Sequence, residues 1–401
     1  MQPPVFIRRV VLQNYLSIAK CSVSLGPLTF LIGQNGAGKS NFLDALHFIT
    51  DALSVSVEFA LRERGGINEV RRRSSGHPNH FGVRIEFDLS ESQSGHYSFR
   101  IGAKAGSGFE IQEESCAIGL AHFTVKTGQI KNTSLTSPPA ALPDRLFLVN
   151  ASGQPEFRPL YDALLQMGFY NLNPDVIREL QSPDAGDLLA SDGRNLASII
   201  KRLESEHKPS HARIVELLAL VVPGVTGVEH EPLGKKETLR FRQKIGANKS
   251  AWGFPAENMS DGTLRTLGIL VALAQTPTAP HKAIRLVGIE EPETALHPGA
   301  ASVLRTALQE AAQRTQVIVT SHSPDLLDVK EIQAESLLAV TSRNGETLIA
   351  PIDGASRSSL RDRLYTAGEL LRLNQLTVDT EQFDATPPHQ FALFPNDTTA
   401  S

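Results

Sequence analysis

The chain has 401 residues, of which 41% are hydrophobic and 20% are charged, and its formal net charge is −4. This composition is typical of a globular protein, and it excludes a strongly basic chain that attracts nucleic acid through its overall charge. No apolar run approaches the roughly 18–20 residues that span a bilayer, and the N-terminus lacks the layout of a signal peptide. Cys21 and Cys116 form no metal-spaced pair and indicate no disulfide framework. We therefore expect a cytoplasmic location and no membrane partner.

The pattern of the first 150 residues predicts two regions. Residues 1–53 contain predicted strands at 6–12 and 28–32, then a glycine-rich loop and a predicted helix at 39–53. Residues 54–150 alternate apolar and polar side chains, which indicates an antiparallel β lobe with one solvated face and a last strand at 146–149.

The remaining residues predict a helical insert and a return to alternating strands and helices. Residues 151–255 are mainly helical in pattern. Predicted strands in the next region lie at 284–289, 317–320 and 337–340. Their alternation with helices indicates a mostly parallel sheet, formed by residues 256–375 together with residues 1–53 as one discontinuous domain. The polar, proline-containing residues 376–401 predict a flexible tail.

A glycine-rich loop after the predicted strand 28–32 is the strongest motif. Its sequence, Gly-Gln-Asn-Gly-Ala-Gly-Lys-Ser at 33–40, matches the phosphate-binding pattern G-x-x-x-x-G-K-[ST] between a strand and a helix. Glycines let backbone N–H groups approach phosphates, and the helix adds its positive dipole end. Lys39 is expected to bridge β- and γ-phosphate oxygens, and Ser40 to ligate Mg²⁺. The predicted nucleotide-binding residues here are Gly33, Asn35, Gly36, Ala37, Gly38, Lys39, Ser40 and Asn41.

Two consecutive acids, Glu290 and Glu291, end the predicted strand 284–289. One carboxylate can hold a metal ion while the other polarises a water molecule. Consecutive strand residues point to opposite faces, so we expect the two acids to have different roles. The competing interpretation is a strand that merely emerges into solvent.

Two further motifs open a predicted helix and follow a predicted strand. Ser260-Asp261-Gly262-Thr263 precedes the helix predicted at 264–274, where Ser260 or Asp261 could serve only as the N-cap. His322 lies two residues beyond the strand predicted at 317–320. A lone histidine is more often a structural hydrogen-bonding residue, but its place at the end of a core strand favours a functional role.

Taken in chain order, these motifs resemble the ABC-type ATPase superfamily, and within it the RecF-like and overcoming-lysogenisation-defect-like branch. The resemblance is carried by Ser-Asp-Gly-Thr at 260–263, Ile-Glu-Glu-Pro-Glu at 289–293, Leu-His-Pro at 296–298 and Thr-Ser-His-Ser-Pro at 320–324. Segments 169–174 and 367–372 are similar to those of stand-alone predicted AAA-family ATPases in this branch. The resemblance implies an α/β P-loop ATPase head of the ABC type, with an antiparallel β lobe and an inserted helical region.

The resemblance also implies the role of each site residue. Ser260, Asp261 and Gly262 belong to the signature that meets the γ-phosphate of ATP held by another copy. Glu290 supports Mg²⁺, and Glu291 is the general base for the attacking water. His322 contacts the γ-phosphate, and residues 292–297 cross the dimer interface. Gln154, after the strand predicted at 146–149, is a candidate for the glutamine that links the head to its insert. The implied cofactors are ATP and Mg²⁺, and the implied assembly is a homodimer closed by ATP.

The leading functional hypothesis is a DNA-associated ATPase in genome maintenance or in defence against mobile DNA. Arg62, Arg64, Arg71, Arg72 and Arg73 are the candidate DNA contacts, although such a run is as often a solvated surface. The alternative is an ATP-gated regulatory subunit that controls a separate nuclease or toxin. The long β-rich insert, the signature at 260–263 and the absence of membrane segments disfavour a transporter subunit. A small-molecule kinase would lack both the signature and a histidine in the place of His322. The chain lacks a Cys-x-x-Cys zinc hook, and the roughly 50 residues after Ala350 are too few for a Toprim nuclease domain.

Overall fold

The structure, a computed structural model, describes residues 5–74, 76, 78–90, 93–246, 250–275, 283–294, 296 and 298–394. The described chain divides into two compact units. Residues 5–167 and 330–394 form the first, which we call the terminal unit, and residues 168–329 form the second, which we call the central unit. No helix among the described residues is long and apolar enough to cross a membrane.

The strands, in chain order, are β1 (Ile7–Tyr15), β2 (Ile18–Ser24), β3 (Leu28–Ile32), β4 (His80–Ser90), β5 (Gln93–Ala103), β6 (Phe109–Ile118), β7 (Ala121–Lys126), β8 (Gln129–Thr133), β9 (Met167–Tyr170), β10 (Val225–Leu233), β11 (Lys236–Gln243), β12 (Trp252–Pro255), β13 (Leu286–Glu290), β14 (Gln316–Ser321), β15 (Leu337–Arg343) and β16 (Glu346–Pro351).

The α-helices are α1 (Lys39–Ser54), α2 (Val57–Arg62), α3 (Ile67–Val70), α4 (Phe147–Ala151), α5 (Arg158–Leu165), α6 (Pro174–Arg178), α7 (Leu196–Glu206), α8 (Lys208–Val221), α9 (Asp261–Ala274), α10 (Ala301–Ala312), α11 (Pro324–Leu327), α12 (Gly354–Arg361), α13 (Ala367–Arg372) and α14 (Thr380–Ala385).

The terminal unit contains an antiparallel sheet and a group of strands around β3. The antiparallel sheet has the order β2-β1-β4-β5-β6-β7-β8, and its residues alternate between buried and more exposed positions along β4. This alternation is expected where one face of a sheet packs on a core. Beside it, β3 pairs in parallel with β15, and β15 pairs antiparallel with β16. The glycine-rich loop therefore starts at the carboxyl end of a parallel strand.

Aromatic side chains fix α1, the helix after the glycine-rich loop, against the antiparallel sheet. Phe48 of α1 lies edge-on to Phe81 of β4, with ring centroids 5.3 Å apart, and 6.1 Å from Phe99 of β5. Tyr15 of β1 completes the group at 5.5 Å from Phe81. All four rings are buried, and such pairs add about 1 kcal/mol each beyond the area they bury. The position of α1 is therefore set by the β lobe.

The central unit combines two parallel strands with a helical layer. Strands β13 and β14 pair in parallel, with Glu290 opposite Thr320, and β9 borders β13. Helix α9 is buried at every position from Thr263 to Leu273 and packs against α6, α8 and α10. Strands β10, β11 and β12 form a separate antiparallel sheet. The α/β class with parallel strands, antiparallel strands and a helical region is as predicted.

The predicted strand at 146–149 is wrong, because residues 147–151 form helix α4. The buried carboxylate of Glu114 on β6 accepts hydrogen bonds from the backbone N–H groups of Phe147 and Leu148, the latter at 2.9 Å. A carboxylate satisfies the unpaired donors of a helix start in this way. Burial raises the pKa of Glu114 to about 7. Gln154 consequently follows a helix, and the strand that suggested it as the linking glutamine is absent.

The predicted flexible tail also differs from the structure over its described part, residues 376–394. Helix α14 and a 3₁₀ turn at Pro388–Phe391 bring the side chains of Phe383 and Phe391 into the terminal unit. The ammonium of Lys20 lies 4.8 Å from the ring centroid of Phe391 and 5.5 Å from that of Phe383. Leu393 and Phe394 are buried as well. Burial of these apolar side chains outweighs the polar composition of the segment.

Candidate functional site

The phosphate-binding motif of the terminal unit forms a tight loop between β3 and α1. Gly36 and Gly38 have φ angles of 76° and 101°, a region that glycine enters without steric cost. A Cβ atom added to Gly38 would overlap the side chain of Thr347 on β16, and one added to Gly33 would overlap the carbonyl of Val340 on β15. The glycines at 33 and 38 are therefore dictated by contacts with β15 and β16.

Lys39 points its ammonium at the loop itself. Its side chain is 4% exposed, and Nζ donates hydrogen bonds to the carbonyl oxygens of Gly33 and Gln34 at 2.8 and 3.1 Å. No side chain among the described residues caps the first turn of α1, so its N–H groups and positive dipole end can receive an anion. The loop therefore fits the phosphates of a nucleotide, and the exposed Ser40 at the helix start can reach a metal ion bound to them.

A chain of hydrogen bonds supports the loop from two distant parts of the sequence. The hydroxyl of Thr347 donates to the carbonyl of Ala37 at 2.8 Å and lies 2.6 Å from Ser17 Oγ. Asn41 Nδ2 donates to the same Ser17 Oγ at 2.6 Å. Asn41, predicted as a nucleotide contact, thus directs its amide to the turn between β1 and β2. Ser17 and Thr347 are positioning residues that the sequence motif does not reveal.

Glu290 is the last residue of β13 in the central unit and Glu291 follows it, so the two acids lie at the end of a strand, as the sequence predicts. Glu291 has a φ of 40°, which is uncommon for a residue with a Cβ and costs about 1–3 kcal/mol. Its backbone N–H donates to the carbonyl of Thr320 at 3.0 Å and to its hydroxyl at 3.2 Å. These bonds to β14 hold the strained backbone of Glu291. Because β13 ends at Glu290, the regular alternation of side chains along the strand does not continue to Glu291. Strain of this kind is concentrated at functional sites.

The structure brings His322 together with Glu291. His322 Nδ1 lies 3.2 Å from Glu291 Oε1, and the two side chains are 39% and 31% exposed. Glu293, which is 10% exposed, accepts hydrogen bonds through Oε1 from Ser321 Oγ at 2.7 Å and from the backbone N–H of His322 at 3.1 Å. Glu293 therefore fixes the backbone that carries the histidine, and Glu291 and His322 present a half-exposed carboxylate–imidazole pair.

A buried arginine on α9, Arg265, holds the backbone at the end of β13 through hydrogen bonds. Arg265 Nη2 donates to the carbonyl oxygens of Glu290 and Glu291 at 3.1 and 3.2 Å, and Nη1 donates to that of Leu172. Burial lowers the pKa of Arg265, and the carboxylates of Glu293, Glu291 and Glu290 oppose that shift. The sequence offers one signal for this positioning residue, because it is the one basic residue of α9, a helix whose second half is apolar.

Ser260 is the N-cap of α9, as one of its two interpretations predicts. Its Oγ accepts a hydrogen bond from the backbone N–H of Thr263 at 3.2 Å and lies 2.8 Å from Thr263 Oγ1. Both Ser260 and Asp261 are exposed, and Gly262 is half-buried. Capping does not exclude a second role, because the hydroxyl keeps further donor and acceptor capacity toward solvent. The carboxylate of Asp261 pairs with Arg178 of α6.

The predicted site residues are divided between the two units. The phosphate-binding loop belongs to the terminal unit, whereas Ser260, Glu290, Glu291 and His322 belong to the central unit. Residues 295 and 297, part of the segment expected to cross a dimer interface, lie outside the described residues. Across the described ranges, no three His, Cys, Asp or Glu side chains form a ready-made metal cage. Magnesium at a nucleotide site does not require one, because phosphates and water supply most of its ligands.

The arginine cluster at 62–73 is not one open basic patch. Arg64 is 11% exposed and pairs with Asp44 at 2.8 Å and with Asp51 at 2.9 Å. Arg72 is 18% exposed and pairs with Glu346 of β16. Arg71 donates to the carbonyl of Pro78 at 2.8 Å and to Asn68 Oδ1 at 3.0 Å. Arg62 and Arg73 are the two members of this cluster with largely exposed side chains, each at 69%.

The sequence matches one family of known proteins over most of its length. The family model described as "AAA domain, putative AbiEii toxin, Type IV TA system" matches residues 28–145 and 172–328. The chain belongs to this AAA-domain family. The matched ranges include the phosphate-binding loop, the N-terminus of α9, the two acids at the end of β13 and His322. No curated protein matches the sequence.

Solved structures of SMC heads share the fold. One is the SmcHead bound to the C-winged helix domain of ScpA, with a TM-score of 0.55 and 14% identity, covering 86% of this chain and 97% of that chain. Another is the Smc head domain with an extended coiled coil bound to the C-terminal domain of ScpA, derived from Pyrococcus furiosus, with a TM-score of 0.53 and 12% identity, covering 90% and 99%. At these identities the likeness shows the fold alone. The predicted P-loop ATPase head of the ABC type is thereby confirmed as the fold class.

Proposed function

We propose that this AAA-domain protein binds ATP with Mg²⁺ and hydrolyses it to ADP and phosphate. The observation that carries the proposal is the Glu291–His322 pair on a strained turn, in a chain that also holds a complete phosphate-binding loop. Lys39 and the backbone of residues 33–41 bind the phosphates, and Ser40 and Glu290 hold Mg²⁺. Bound Mg²⁺ neutralises charge on the β- and γ-phosphate oxygens.

The proposed catalytic step transfers the γ-phosphoryl group to water. Glu291 accepts a proton from the water molecule as it attacks phosphorus, and the bond between the γ-phosphorus and the bridging oxygen breaks. His322 contacts the γ-phosphate, and its ion-pair distance to Glu291 lets it orient that carboxylate. Arg265 and Glu293 are positioning residues. Arg265 holds the backbone of Glu291, and Glu293 holds the backbone of His322.

We further propose that hydrolysis occurs in composite sites formed by two copies of the chain. Ser260, Asp261 and Gly262 of one copy meet the γ-phosphate of ATP held by the other. The N-terminus of α9 is suited to an anion, and Ser260 and Asp261 are exposed there. Loss of the γ-phosphate removes the group that joins the copies, so the dimer loosens after each turnover.

Replacing Ser260 with arginine is expected to lower ATP hydrolysis at least tenfold while ATP affinity changes less than about twofold, because the larger side chain takes the place of the signature contact with the γ-phosphate of the other copy's ATP and leaves the chain's own phosphate-binding loop intact. Phosphate release and equilibrium nucleotide binding measure the two effects. Ser302→Arg, on an exposed position of α10, is the matched control. Unchanged turnover in Ser260→Arg contradicts the composite site.

We also propose that the protein belongs to the RecF-like and overcoming-lysogenisation-defect-like branch and acts on DNA, in genome maintenance or in defence against mobile DNA. The motifs at 289–293 and 320–324 support this placement. A cytoplasmic location accords with it.

For the DNA role, the exposed Arg62 and Arg73 are the residues to test. Their joint replacement by glutamate should weaken duplex binding and reduce the slope of log affinity against log salt by about 0.9 for each phosphate that an arginine no longer neutralises. Arg194→Glu is the control. Arg194 is 70% exposed and pairs with Asp192, just as Arg62 pairs with Glu63 and Arg73 with Glu69. An equal effect of Arg194→Glu, or no effect of the double replacement, contradicts the proposed role of Arg62 and Arg73.

A second candidate function is an ATP-gated regulatory subunit for a separate nuclease or toxin. The family description, which names a putative toxin of a type IV system, favours it. The SMC heads in the comparison were solved with a domain of ScpA bound, so this fold can carry a partner protein. ATPase activity measured with and without duplex DNA separates the two: stimulation favours the DNA role, whereas unchanged activity and co-purification of an effector favour the regulatory role.

A further inference from the structure

Arg178, the last residue of α6, has no role in the proposed function, yet it contacts the signature directly. Its Nη2 donates to Asp261 Oδ1 and lies 3.4 Å from the carbonyl of Met259. Its Nη1 donates to Asp175 Oδ1 at 2.6 Å. The side chain of Arg178 is 26% exposed and that of Asp261 is 61% exposed. The guanidinium therefore contacts the residues on either side of Ser260 and is partly exposed to solvent.

The segment before Arg178 is anchored on α9, the helix that Ser260 caps. Asn173 caps α6 by accepting a hydrogen bond from the backbone N–H of Asp175 at 3.0 Å. The carbonyl of Leu172 accepts from Arg265. A Cβ atom added to Gly268 would lie 2.8 Å from Leu172 Cδ1, so glycine at this position allows the close approach of α9 to the segment. The position of Arg178 is thus set by the packing that also sets α9.

Asp261 creates an electrostatic conflict at this helix terminus. In the free protein its carboxylate is favoured there, because the N-terminus of α9 carries the positive end of the helix dipole. The proposed composite site brings the γ-phosphate of another copy's ATP to the same terminus, where its negative charge and that of Asp261 repel each other. A cation that lies between them would remove this repulsion. Arg178 already lies on Asp261, and its planar guanidinium carries five N–H donors, enough to hold a carboxylate and a phosphate together.

We infer that Arg178 is a phosphate-binding residue of the composite site, which acts on the ATP held by the other copy and neutralises Asp261 as that ATP arrives. This inference rests on the proposed composite site and adds to it a residue outside the signature. The competing explanation is a salt bridge that only fixes α6 to α9. That explanation predicts a similar loss of stability from removal of either partner. The inference predicts that removal of Arg178 lowers hydrolysis much more than removal of Asp261, and that removing Asp261 as well restores part of the loss.

The test is a double-mutant cycle of Arg178→Gln and Asp261→Asn, read by ATP hydrolysis, ATP affinity and thermal unfolding. Arg178→Gln should lower hydrolysis at least tenfold while ATP affinity stays within about twofold, because the arginine acts on the ATP of the other copy. Asp261→Asn should cause a smaller loss. The double variant should hydrolyse ATP several-fold faster than Arg178→Gln, because the unpaired carboxylate that repels the phosphate is gone.

Arg194→Gln serves as the control, since Arg194 also lies beside an acid, at 3.3 Å from Asp192, and is largely exposed; it should hydrolyse ATP like the unaltered protein. Three results overturn the inference. They are equal losses of hydrolysis in Arg178→Gln and Asp261→Asn, a double variant no faster than Arg178→Gln, and a loss of hydrolysis that follows a fall in thermal stability of the same variant.

A mixing experiment tests whether Arg178 acts on the other copy's ATP. In a mixture of Arg178→Gln and Lys39→Ala proteins, one site combines the intact loop of the first with the intact Arg178 of the second, so hydrolysis should return. Ser260→Arg mixed with Lys39→Ala is the reference. Recovery in the reference alone overturns the role of Arg178 and leaves the composite site standing. Recovery in neither mixture overturns the composite site, and the inference with it.

Discussion

Glu291→Gln is expected to retain bound ATP and to lose hydrolysis. A general base contributes about 10²–10⁴-fold to such a step, so the turnover rate should fall at least about a hundredfold. Glutamine keeps the size of the side chain and a hydrogen-bonding oxygen toward His322, and the backbone bonds of residue 291 to Thr320 do not involve the carboxylate. The substrate stays in place because only the acceptor for the proton of water is lost. Single-turnover phosphate release and equilibrium ATP binding measure the two effects.

The same substitution should also trap two copies around unhydrolysed ATP. Sedimentation with and without ATP and Mg²⁺ reports this state. Glu310→Gln is the matched control, because Glu310 lies in the same unit, is 43% exposed and pairs with Arg213 at 2.5 Å; it should turn over ATP normally. Normal turnover in Glu291→Gln contradicts the catalytic role of Glu291.

Lys39→Ala is expected to remove most of the affinity for ATP. The ammonium of Lys39 is buried in the loop and bonded to two carbonyl oxygens that a phosphate can replace. A hydrogen bond to a charged group contributes about 1.5–3 kcal/mol. Loss of two such bonds should therefore weaken ATP binding by about a hundredfold or more, since each 1.4 kcal/mol is a factor of about ten.

The control for this variant is Lys104→Ala, which removes a 49% exposed lysine paired with Glu110 at 2.9 Å in the same unit. ATP affinity by equilibrium binding and the thermal midpoint should be measured on both variants. Near-normal ATP affinity in Lys39→Ala, with the fold intact, contradicts the assignment of the loop.

The parts of the site that are formed by residues close together along the chain could be predicted from the sequence. The glycine-rich loop needs left-handed backbone at fixed spacing, and Gly36 and Gly38 provide it. The two acids lie at the end of β13 and His322 follows β14, and both strands are short with apolar residues at their centres. These features are local because each is set by one strand and the turn that follows it. The structure accordingly places Glu291 beside His322.

The residues that hold these groups could not be predicted, because each reaches its partner across a long stretch of chain. Thr347 contacts the loop at Ala37, and Arg265 contacts the carbonyl oxygens of Glu290 and Glu291. Arg178 meets Asp261 only because α6 packs on α9. No spacing rule connects such pairs.

Tertiary contacts also explain where the sequence patterns misled. The apolar residues 146–149 suit a strand, but the buried carboxylate of Glu114 supplies hydrogen bonds that start a helix there. The tail residues are polar on average, yet a few of their aromatic side chains are buried, and the turn at 388–391 packs against β1 and β2, which holds the tail on the terminal unit. The arginines at 62–73 are close together in the sequence, but Arg64 and Arg72 form ion pairs within the terminal unit. In each case a long-range partner overrides a local preference.

Hydrolysis by a mixture of Lys39→Ala and Ser260→Arg proteins tests the central claim most directly. Neither variant alone can form a complete site, but a mixed dimer joins the intact loop of one chain to the intact signature of the other. Random pairing makes half of the dimers mixed with one complete site each, so activity should recover to roughly a quarter of that of the unaltered protein. Activity no greater than the sum of the two separate variants would contradict a site shared by two copies.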